Sequence, residues 1–186
     1  MEAKKFEQYY TYKDYIKWET PGELFELIDG VPLEMLAPDR RHQEASGELF
    51  AMFHAFLKGK SCKVVSAPFA VRLNANKADD TVVLPDLVVI CEPMQLADNK
   101  ACKGPPTIVI EILSPSTRKH DLTTKFRKYR AAGVGQLWYV DYEFETVEIL
   151  TLENGKYISE RFAGEDKILV EIEDDSFEIE VNEIFI

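Results

Sequence analysis

Two acidic residues stand inside apolar runs of this sequence. Asp86 lies in "LPDLVVI" and Glu111 lies in "VIEIL". Both runs are rich in aliphatic and β-branched residues, which predicts buried strands, and a carboxylate is rarely buried there without a partner or a metal ion. If the strands pair, the two carboxylates converge and repel each other, and a divalent cation relieves that repulsion. Oxygen ligands alone favour Mg²⁺ or Mn²⁺ over zinc.

The helix that follows Glu111 carries a third candidate. Asp121, Lys125 and Tyr129 are spaced four residues apart, so they are expected to share one helix face. On that face Lys125 could point toward the acids and stabilise an oxyanion or orient a water molecule. Asp121 and Lys125 also form an ordinary helical ion pair by spacing alone. For Lys125 considered by itself, this structural role is the preferred interpretation.

Glu111 also has a structural alternative, an ion pair with a neighbouring Lys or Arg. Buried ion pairs are commoner than active sites, so this alternative is preferred for Glu111 alone. The combination with Asp86 and Lys125 favours the metal site instead. His120 could act as a general base, but exposure at the start of a helix is the simpler interpretation.

The charge of the chain restricts its partners. The net charge is −11 and the sequence pI is about 4.8, which argues against broad non-specific binding of nucleic acid. The segment from Arg118 to Arg130 is different, because it holds six Lys and Arg residues and one acid, Asp121. This basic segment could contact phosphate groups, or it could be a solvated helix face.

The cysteines and the chain start bear on the cellular compartment. The three cysteines have no CxxC spacing, and Cys62 and Cys91 lie in apolar runs, so buried thiols are favoured over a disulfide or a zinc site. The first residues contain no apolar signal core, and no apolar stretch approaches the length of a membrane span. These patterns predict a soluble cytoplasmic protein without membrane contact.

The elements that must position the acids follow from periodicity and turn signals. We expect a short helix at Thr11–Trp18 ended by Pro21 and Gly22, a hairpin around Asp29-Gly30, and a helix at about Arg40–Leu57 capped by Asp39. Next come a strand that is interrupted or bent near Pro68, one strand over "TVVLPDLVVIC" and the Glu111 strand. A helix with its cap near His120 or Asp121 follows and stops at Gly133. The remainder alternates as an antiparallel meander with a turn at Asn154-Gly155. This pattern predicts one α+β domain, residues 1–186, with a mixed sheet.

The motifs together resemble a known family. The segments "ELIDG", "RHQ", "LPDLVVI", "PTIVIEILSPST", "DLTTKFRKY" and "GVGQLWYVD" occur in the order typical of the Uma-two family of restriction-endonuclease-like proteins, from about Phe25 to about Tyr157. The resemblance implies the PD-(D/E)XK nuclease fold, a central mixed β-sheet flanked by helices, here with additional antiparallel hairpins at both ends. Asp86 matches the motif aspartate and Glu111 the motif glutamate. Leu113 stands where the motif lysine is usual, and Lys125 from the following helix takes its place.

The resemblance also implies a function. A member of this family is expected to be a Mg²⁺- or Mn²⁺-dependent endonuclease that hydrolyses DNA phosphodiester bonds. The expected metal ligands are Asp86, Glu111 and the Ile112 carbonyl, and Lys125 would stabilise the transition state. His42 would contact substrate or metal, although a capping or solvent-facing role fits it equally. Candidates for positioning phosphate groups are Arg118, Lys119 and Arg127. By analogy the protein would form a homodimer. The alternative is a catalytically weak or inactive nuclease-fold protein that serves binding or assembly, which Leu113 and the net charge both favour.

Overall fold

The computed structural model describes residues 8–18, 23–97 and 99–185. Its helices are α1 (Tyr12–Tyr15), α2 (Arg40–Leu57), α3 (Arg118–His120) and α4 (Phe126–Ala132), with a π-helical segment, Asp121–Lys125, that joins α3 to α4. Short 3-10 helices lie at Pro93–Leu96 and Val181–Glu183. The strands are β1 (Phe25–Ile28), β2 (Val31–Glu34), β3 (Lys63–Ser66), β4 (Ala70–Arg72), β5 (Val82–Val83), β6 (Leu87–Ile90), β7 (Ala101–Lys103), β8 (Ile108–Leu113), β9 (Gln136–Asp141), β10 (Thr146–Glu153), β11 (Lys156–Ala163), β12 (Lys167–Ile172) and β13 (Asp175–Glu180).

A six-stranded mixed sheet forms the centre of the fold, with strand order β11-β10-β9-β8-β6-β3. Strands β8 and β9 are parallel, and the other neighbours in this sheet are antiparallel. All six residues of β8 are buried, because both faces of this strand are covered. Alternate residues therefore enter two different cores, and Val109 lies on the opposite face from Ile108 and Ile110.

Helix α2 covers one face of this sheet. The Asp39 carboxylate caps the helix by accepting a hydrogen bond from the His42 N–H at 2.9 Å. The residues Ala45, Leu49 and Phe53 recur at helical spacing and are at most 1% exposed. They pack in one core with β8, β9 and the C-terminal β12–β13 hairpin.

The other face of the sheet packs against the helix that follows β8. Segments α3, π and α4 run on without a break, and together we call them the site helix, residues 118–132. Tyr129 of this helix is fully buried beside Val109 and Leu137. The helix ends at Gly133, whose φ of 82° favours glycine. A second sheet, β2-β1-β5-β4-β7, contributes to the same side of the fold.

The mixed sheets and flanking helices confirm the predicted α+β class, and the hairpin at Asp29-Gly30, helix α2 and the C-terminal meander form as expected. The single strand predicted over "TVVLPDLVVIC" is wrong, because β5 and β6 belong to different sheets. Pro85 lies between them and has no N–H to donate to a strand ladder. The site helix begins at Arg118, earlier than predicted, and α1 is shorter than predicted. Pro21 and Gly22 lie outside the described residues, and a single domain over residues 1–186 stays a prediction.

The prediction of free thiols at Cys62 and Cys91 is wrong, since these two residues form a disulfide. They are 29 positions apart in sequence, but the antiparallel register of β3 and β6 pairs Lys63 with Ile90 and so sets the two cysteines opposite each other just beyond the ladder. Cys102 is a free, buried cysteine. No helix in the described ranges is long and apolar enough to cross a membrane.

Candidate active site

The antiparallel pairing of β6 with β8 brings the two strand acids together. Leu87 pairs with Ile110, so the same register sets Asp86 opposite Glu111 one residue further on. The Ile112 N–H donates a hydrogen bond to Asp86 Oδ2 at 2.7 Å, which fixes the Asp86 side chain against β8. Both acids line one cleft. The sequence prediction that these carboxylates converge therefore has its structural basis in the strand register.

Lys125 lies at the centre of a buried ionic cluster. Its ammonium Nζ is 2.6 Å from Glu111 Oε1, 3.1 Å from Glu26 Oε1 and 3.4 Å from Asp121 Oδ1. The lysine is 1% exposed, so solvent screens these contacts little. The helical pair with Asp121 is present, but it is one of three contacts. Lys125 thus contacts Glu111 on β8 as well as Asp121 in its own helix.

Burial and charge act in opposite directions on this cluster. Burial alone would lower the pKa of Lys125, but the carboxylates of Glu111, Glu26 and Asp121 raise it well above its usual value and hold the side chain as an ammonium. Burial raises the pKa of Glu111; Lys125 opposes this rise, while Asp121, Asp86 and Glu26 add to it. The Tyr129 hydroxyl donates a hydrogen bond to Glu111 Oε1. The pKa of Glu111 is thus raised overall, because burial and the three neighbouring acids outweigh the effect of the Lys125 ammonium.

Glu26 is a member of the cluster that the predicted site residues omit. It lies in β1 and is fully buried, and its Oε1 also accepts a hydrogen bond from the Leu84 N–H at 2.9 Å. His120 Nε2 lies 3.2 Å from Glu26 Oε2. Burial would raise the pKa of Glu26, but the charge of Lys125 and the hydrogen bonds from His120, Leu84 and Lys125 lower it to about 2. An acid inside an apolar strand, the signal used for Glu111, also marks Glu26 in "LFELI".

His42 joins the site from the first turn of α2. Its Nε2 lies 3.3 Å from Asp86 Oδ1, and the residue is 7% exposed. Burial lowers the pKa of His42, but the hydrogen bond and charge of Asp86, with smaller contributions from Asp39 and Asp121, raise it overall. Tyr142 donates a hydrogen bond to Asp39 Oδ2 at 2.9 Å, which steadies the helix cap beside it. The His42 Nδ1 atom is buried without a hydrogen-bond partner among the described residues.

The cleft that contains these groups has a volume of about 610 Å³. The charged residues of its wall include Asp86, Glu111, Asp121 and Lys125. Apolar side chains form much of the remaining wall, namely Leu24, Met35, Leu36, Pro38, Phe50, Pro68 and Leu84. The cleft thus brings negative and positive charge together with apolar side chains, which can hold a cation and an anionic ligand together.

The other predicted site residues occupy different positions. Ile112 lines the cleft. Arg118 forms an ion pair with Asp141, and Lys119 and Arg127 are exposed on the site helix. None of these three basic residues is part of the described cleft wall. Arg118, Lys119 and Arg127 therefore lie outside the cleft wall, on the helix that supplies Asp121 and Lys125 to it, and their role in phosphate contact stays a prediction.

The fold is restriction-endonuclease-like. The structure matches the crystal structure of a putative nuclease belonging to DUF820 from Anabaena variabilis with a TM-score of 0.74 and 18% sequence identity, and the match covers 95% of this chain and 97% of that one. A profile of the Uma2 family, described as a putative restriction endonuclease, matches residues 6–182. The chain therefore belongs to the Uma2 family, and the resemblance seen in its motifs is confirmed.

One curated relative is an uncharacterised protein of Synechocystis sp., which is 31% identical over 118 residues. That alignment covers 63% of this chain and 60% of the relative. The shared region is thus less than two thirds of the relative's length.

Proposed function

We propose that this protein is a divalent-metal-dependent endonuclease that hydrolyses DNA phosphodiester bonds. The observation that carries the proposal is the meeting of Asp86, Glu111 and Lys125 in the wall of one cleft. The family description, a putative restriction endonuclease, supports the same reaction class. Two carboxylates from adjacent strands with a nearby ammonium suit phosphoryl chemistry, in which negative charge must be bound and stabilised.

The residues of the cleft fit a hard divalent cation. Four carboxylates are coupled here, those of Glu26, Asp86, Glu111 and Asp121, and Lys125 is the one buried cation described among them. In the described part of the chain, no three of these acids bring ligand atoms within 4.8 Å of one another. Mg²⁺ does not need such a cage, since it commonly binds one or two carboxylates and completes its octahedron with water and substrate phosphate. Asp86 and Glu111 are the proposed ligands with the Ile112 carbonyl, and Mn²⁺ has the same preference for oxygen.

When bound, the metal would supply an activated water and shield the charge of the scissile phosphate. The chain itself supplies the remaining functions. The Ile112 N–H and His42 orient the Asp86 carboxylate. Tyr129 and Lys125 hold Glu111 through its Oε1 atom, and the second oxygen, Oε2, takes no part in these two contacts. Lys125 is kept charged by its acidic neighbours, so it can stabilise negative charge that develops on phosphate oxygens.

DNA is the proposed substrate. Lys119 and Arg127 are exposed on the helix that carries Lys125, so they can contact phosphates that flank the cleft. Arg118 can contribute if DNA competes with its partner Asp141. A homodimer would let two such sites act on one duplex and belongs to the proposal as well.

Metal binding is the first test. Calorimetric titration of the wild type with Mn²⁺ is expected to give saturable binding, and Asp86→Asn should remove most of it. Glu160→Gln, at an exposed acid in β11, is the matched control and should bind as the wild type does. If the wild type and Asp86→Asn give the same heats of Mn²⁺ binding, the proposed metal site is refuted.

Cleavage is the second test. The wild type is expected to nick supercoiled plasmid with Mg²⁺ or Mn²⁺, and Glu111→Gln and Lys125→Met should each lose that activity. Circular dichroism of each variant separates loss of chemistry from loss of fold. A wild type that binds Mn²⁺ but nicks neither supercoiled, linear nor single-stranded DNA would contradict the nuclease reaction.

A second function, that of a nuclease-fold binding or assembly protein, has one specific observation in its favour. Leu113, at the usual lysine position, is 3% exposed and part of the buried strand, so it offers no polar group to the site. DNA retention in a gel-shift assay, with metal bound and no nicking, would support this second function. Turnover of plasmid would exclude it.

A further inference from the structure

A second set of ligand-type side chains lies apart from the active-site cleft. Cys62, Cys91 and Glu173 each offer an atom, and these atoms lie within 4.8 Å of one another. Among the described residues this is the one group of three or more His, Cys, Asp or Glu side chains that meets that distance. A neighbouring cavity of about 220 Å³ is lined by Cys62 and Glu173 and shares no wall residue with the active-site cleft.

Three separate elements build this group. Cys62 precedes β3, Cys91 follows β6, and Glu173 lies in the turn between β12 and β13. The β3–β6 register brings the cysteines together, where they form a disulfide. The Ser61 hydroxyl donates a hydrogen bond to Glu173 Oε2 at 2.8 Å, which holds the turn against the cysteine pair. The set is therefore fixed by long-range structure and not by a local sequence motif.

We propose that Cys62, Cys91 and Glu173 form a redox-gated site for a thiophilic divalent cation of the Zn²⁺ class. When the pair is oxidised, both sulfurs are engaged in the disulfide and the site is closed. A dithiol reductant opens it: the S–S bond breaks, each sulfur gains one electron and one proton, and the dithiol becomes a disulfide. Binding of Zn²⁺ then releases the two thiol protons as two Zn–S bonds form, and the Glu173 carboxylate supplies the third protein ligand.

The chemistry of the donors selects this class of cation. Thiolate sulfur prefers Zn²⁺ over Mg²⁺, whereas the acids of the active-site cleft have the opposite preference. Lys60 also lines the cavity and is paired with Asp175 at 2.5 Å, so its charge is offset. Asp174 also lines the cavity, and this acid or a water molecule can complete a tetrahedral set.

The cation would join elements that the disulfide leaves unlinked. The disulfide connects the two strand ends, while the metal would also tie in the β12–β13 turn through Glu173. Cys62 and Ile172 both belong to the core that α2 forms with β8, β9 and the β12–β13 hairpin. A metal link at this point would therefore restrain the packing of that hairpin. Reduction alone should therefore loosen this region, and Zn²⁺ should tighten it again.

The test uses the full chain and Cd²⁺ as a spectroscopic probe for the thiolate site. Wild type is reduced with a phosphine, which itself does not contribute thiols, and titrated with Cd²⁺ while the ultraviolet sulfur-to-metal charge-transfer band is recorded. One Cd²⁺ per chain is expected, with Zn²⁺ displacing it. The oxidised wild type should give no band. Cys102→Ser, which removes the buried free cysteine, is the matched control and should titrate as the wild type does.

The variants then assign the ligands. Cys62→Ser and Cys91→Ser should each lose the band, and Glu173→Gln should weaken binding by at least about tenfold, the smaller end of the effect seen for groups around metal sites. Far-ultraviolet circular dichroism checks that each variant is folded. Absence of the band in reduced wild type, with all thiols counted as free, would overturn the proposal without any variant. An undiminished affinity in Glu173→Gln would overturn the three-ligand site.

Discussion

Replacement of Lys125 by methionine is the most direct test of the buried ionic cluster. Methionine keeps nearly the same length and volume, so the substitution removes the ammonium without opening a large cavity. Three carboxylates then lose their common partner, at contact distances of 2.6, 3.1 and 3.4 Å. All three acids are at most 4% exposed, so water cannot replace the lost contacts without rearrangement.

The expected loss of stability follows from that burial. Removing one member of a buried ion pair typically costs about 3–5 kcal/mol, because the remaining charge is left uncompensated. For a chain of this length each kcal/mol moves the midpoint of thermal unfolding by about 2–4 °C, so Lys125→Met should melt roughly 6–20 °C below the wild type. The matched control is Lys128→Met. Lys128 lies on the same helix but pairs with the exposed Asp29, and its loss should cost less than about 1 kcal/mol.

Urea unfolding followed by circular dichroism measures the loss in free energy of unfolding for Lys125→Met and for Lys128→Met, and a thermal scan measures the shift in melting midpoint. Repeating the Lys125→Met experiment with Mg²⁺ should restore part of the loss, since a ligand at a hundred times its dissociation constant adds about 2.7 kcal/mol. A Lys125→Met protein within about 1 kcal/mol of the wild type would refute the charged, buried cluster described for this site. If Lys125→Met loses about 3–5 kcal/mol of stability as expected and Mg²⁺ restores none of it, the buried ionic cluster is supported and cation binding at its acids is not.

Three further predictions concern the surrounding structure. Glu26→Gln keeps the shape but removes one charge that holds Lys125, so unfolding in urea should show a loss of roughly 1–3 kcal/mol, whereas Glu34→Gln on the exposed β2 edge should change little. Gly135→Ala should destabilise by about 1–3 kcal/mol, since its new Cβ would lie 2.9 Å from the Thr107 carbonyl oxygen. In α2, a Cβ at Gly47 would meet nothing within 4 Å beyond its chain neighbours and its own helix backbone, so Gly47→Ala should raise stability by up to about 1 kcal/mol in the same assay. Phe53→Ala removes a fully buried ring between Trp138 and Phe177 and should cost about 3–5 kcal/mol, unless the core collapses around the space.

The central acids could be predicted from the sequence because their signal is local. A charged residue inside an apolar strand stands out at once, and the alternation of a strand fixes which face it occupies. Val109 and Glu111 share that face, so the side chain must meet whatever packs there, which is the site helix. The spacing of Asp121, Lys125 and Tyr129 indicates a shared helix face, but for Lys125 alone it favours a simple helical ion pair, and the contact with Glu111 is seen only in the structure.

The contributions that depend on distant pairing could not be predicted in the same way. Glu26 lies on β1 of the five-stranded sheet, whereas the helix with Lys125 follows β8 of the six-stranded sheet, and no local pattern encodes that these two elements meet. The contact of His120 with Glu26 follows from the same arrangement, so the sequence alone favours exposure as the simpler interpretation of His120. Cys62 and Cys91 likewise meet through the β3–β6 register. In each case the residue type was visible, but its partner was not.

The π-helical segment explains how the site helix presents three residues to the same cluster. In an α-helix a step of four residues overshoots a full turn by about 40°, so two such steps from Asp121 to Tyr129 would drift by about 80°. The segment Asp121–Lys125 has a wider turn, with hydrogen bonds that span five residues, and its step of four falls short of a full turn. The two offsets oppose each other, and Lys125 and Tyr129 both reach Glu111 Oε1 while Asp121 contacts Lys125. The π-helical geometry at this point therefore helps these evenly spaced residues to converge on the strand acid.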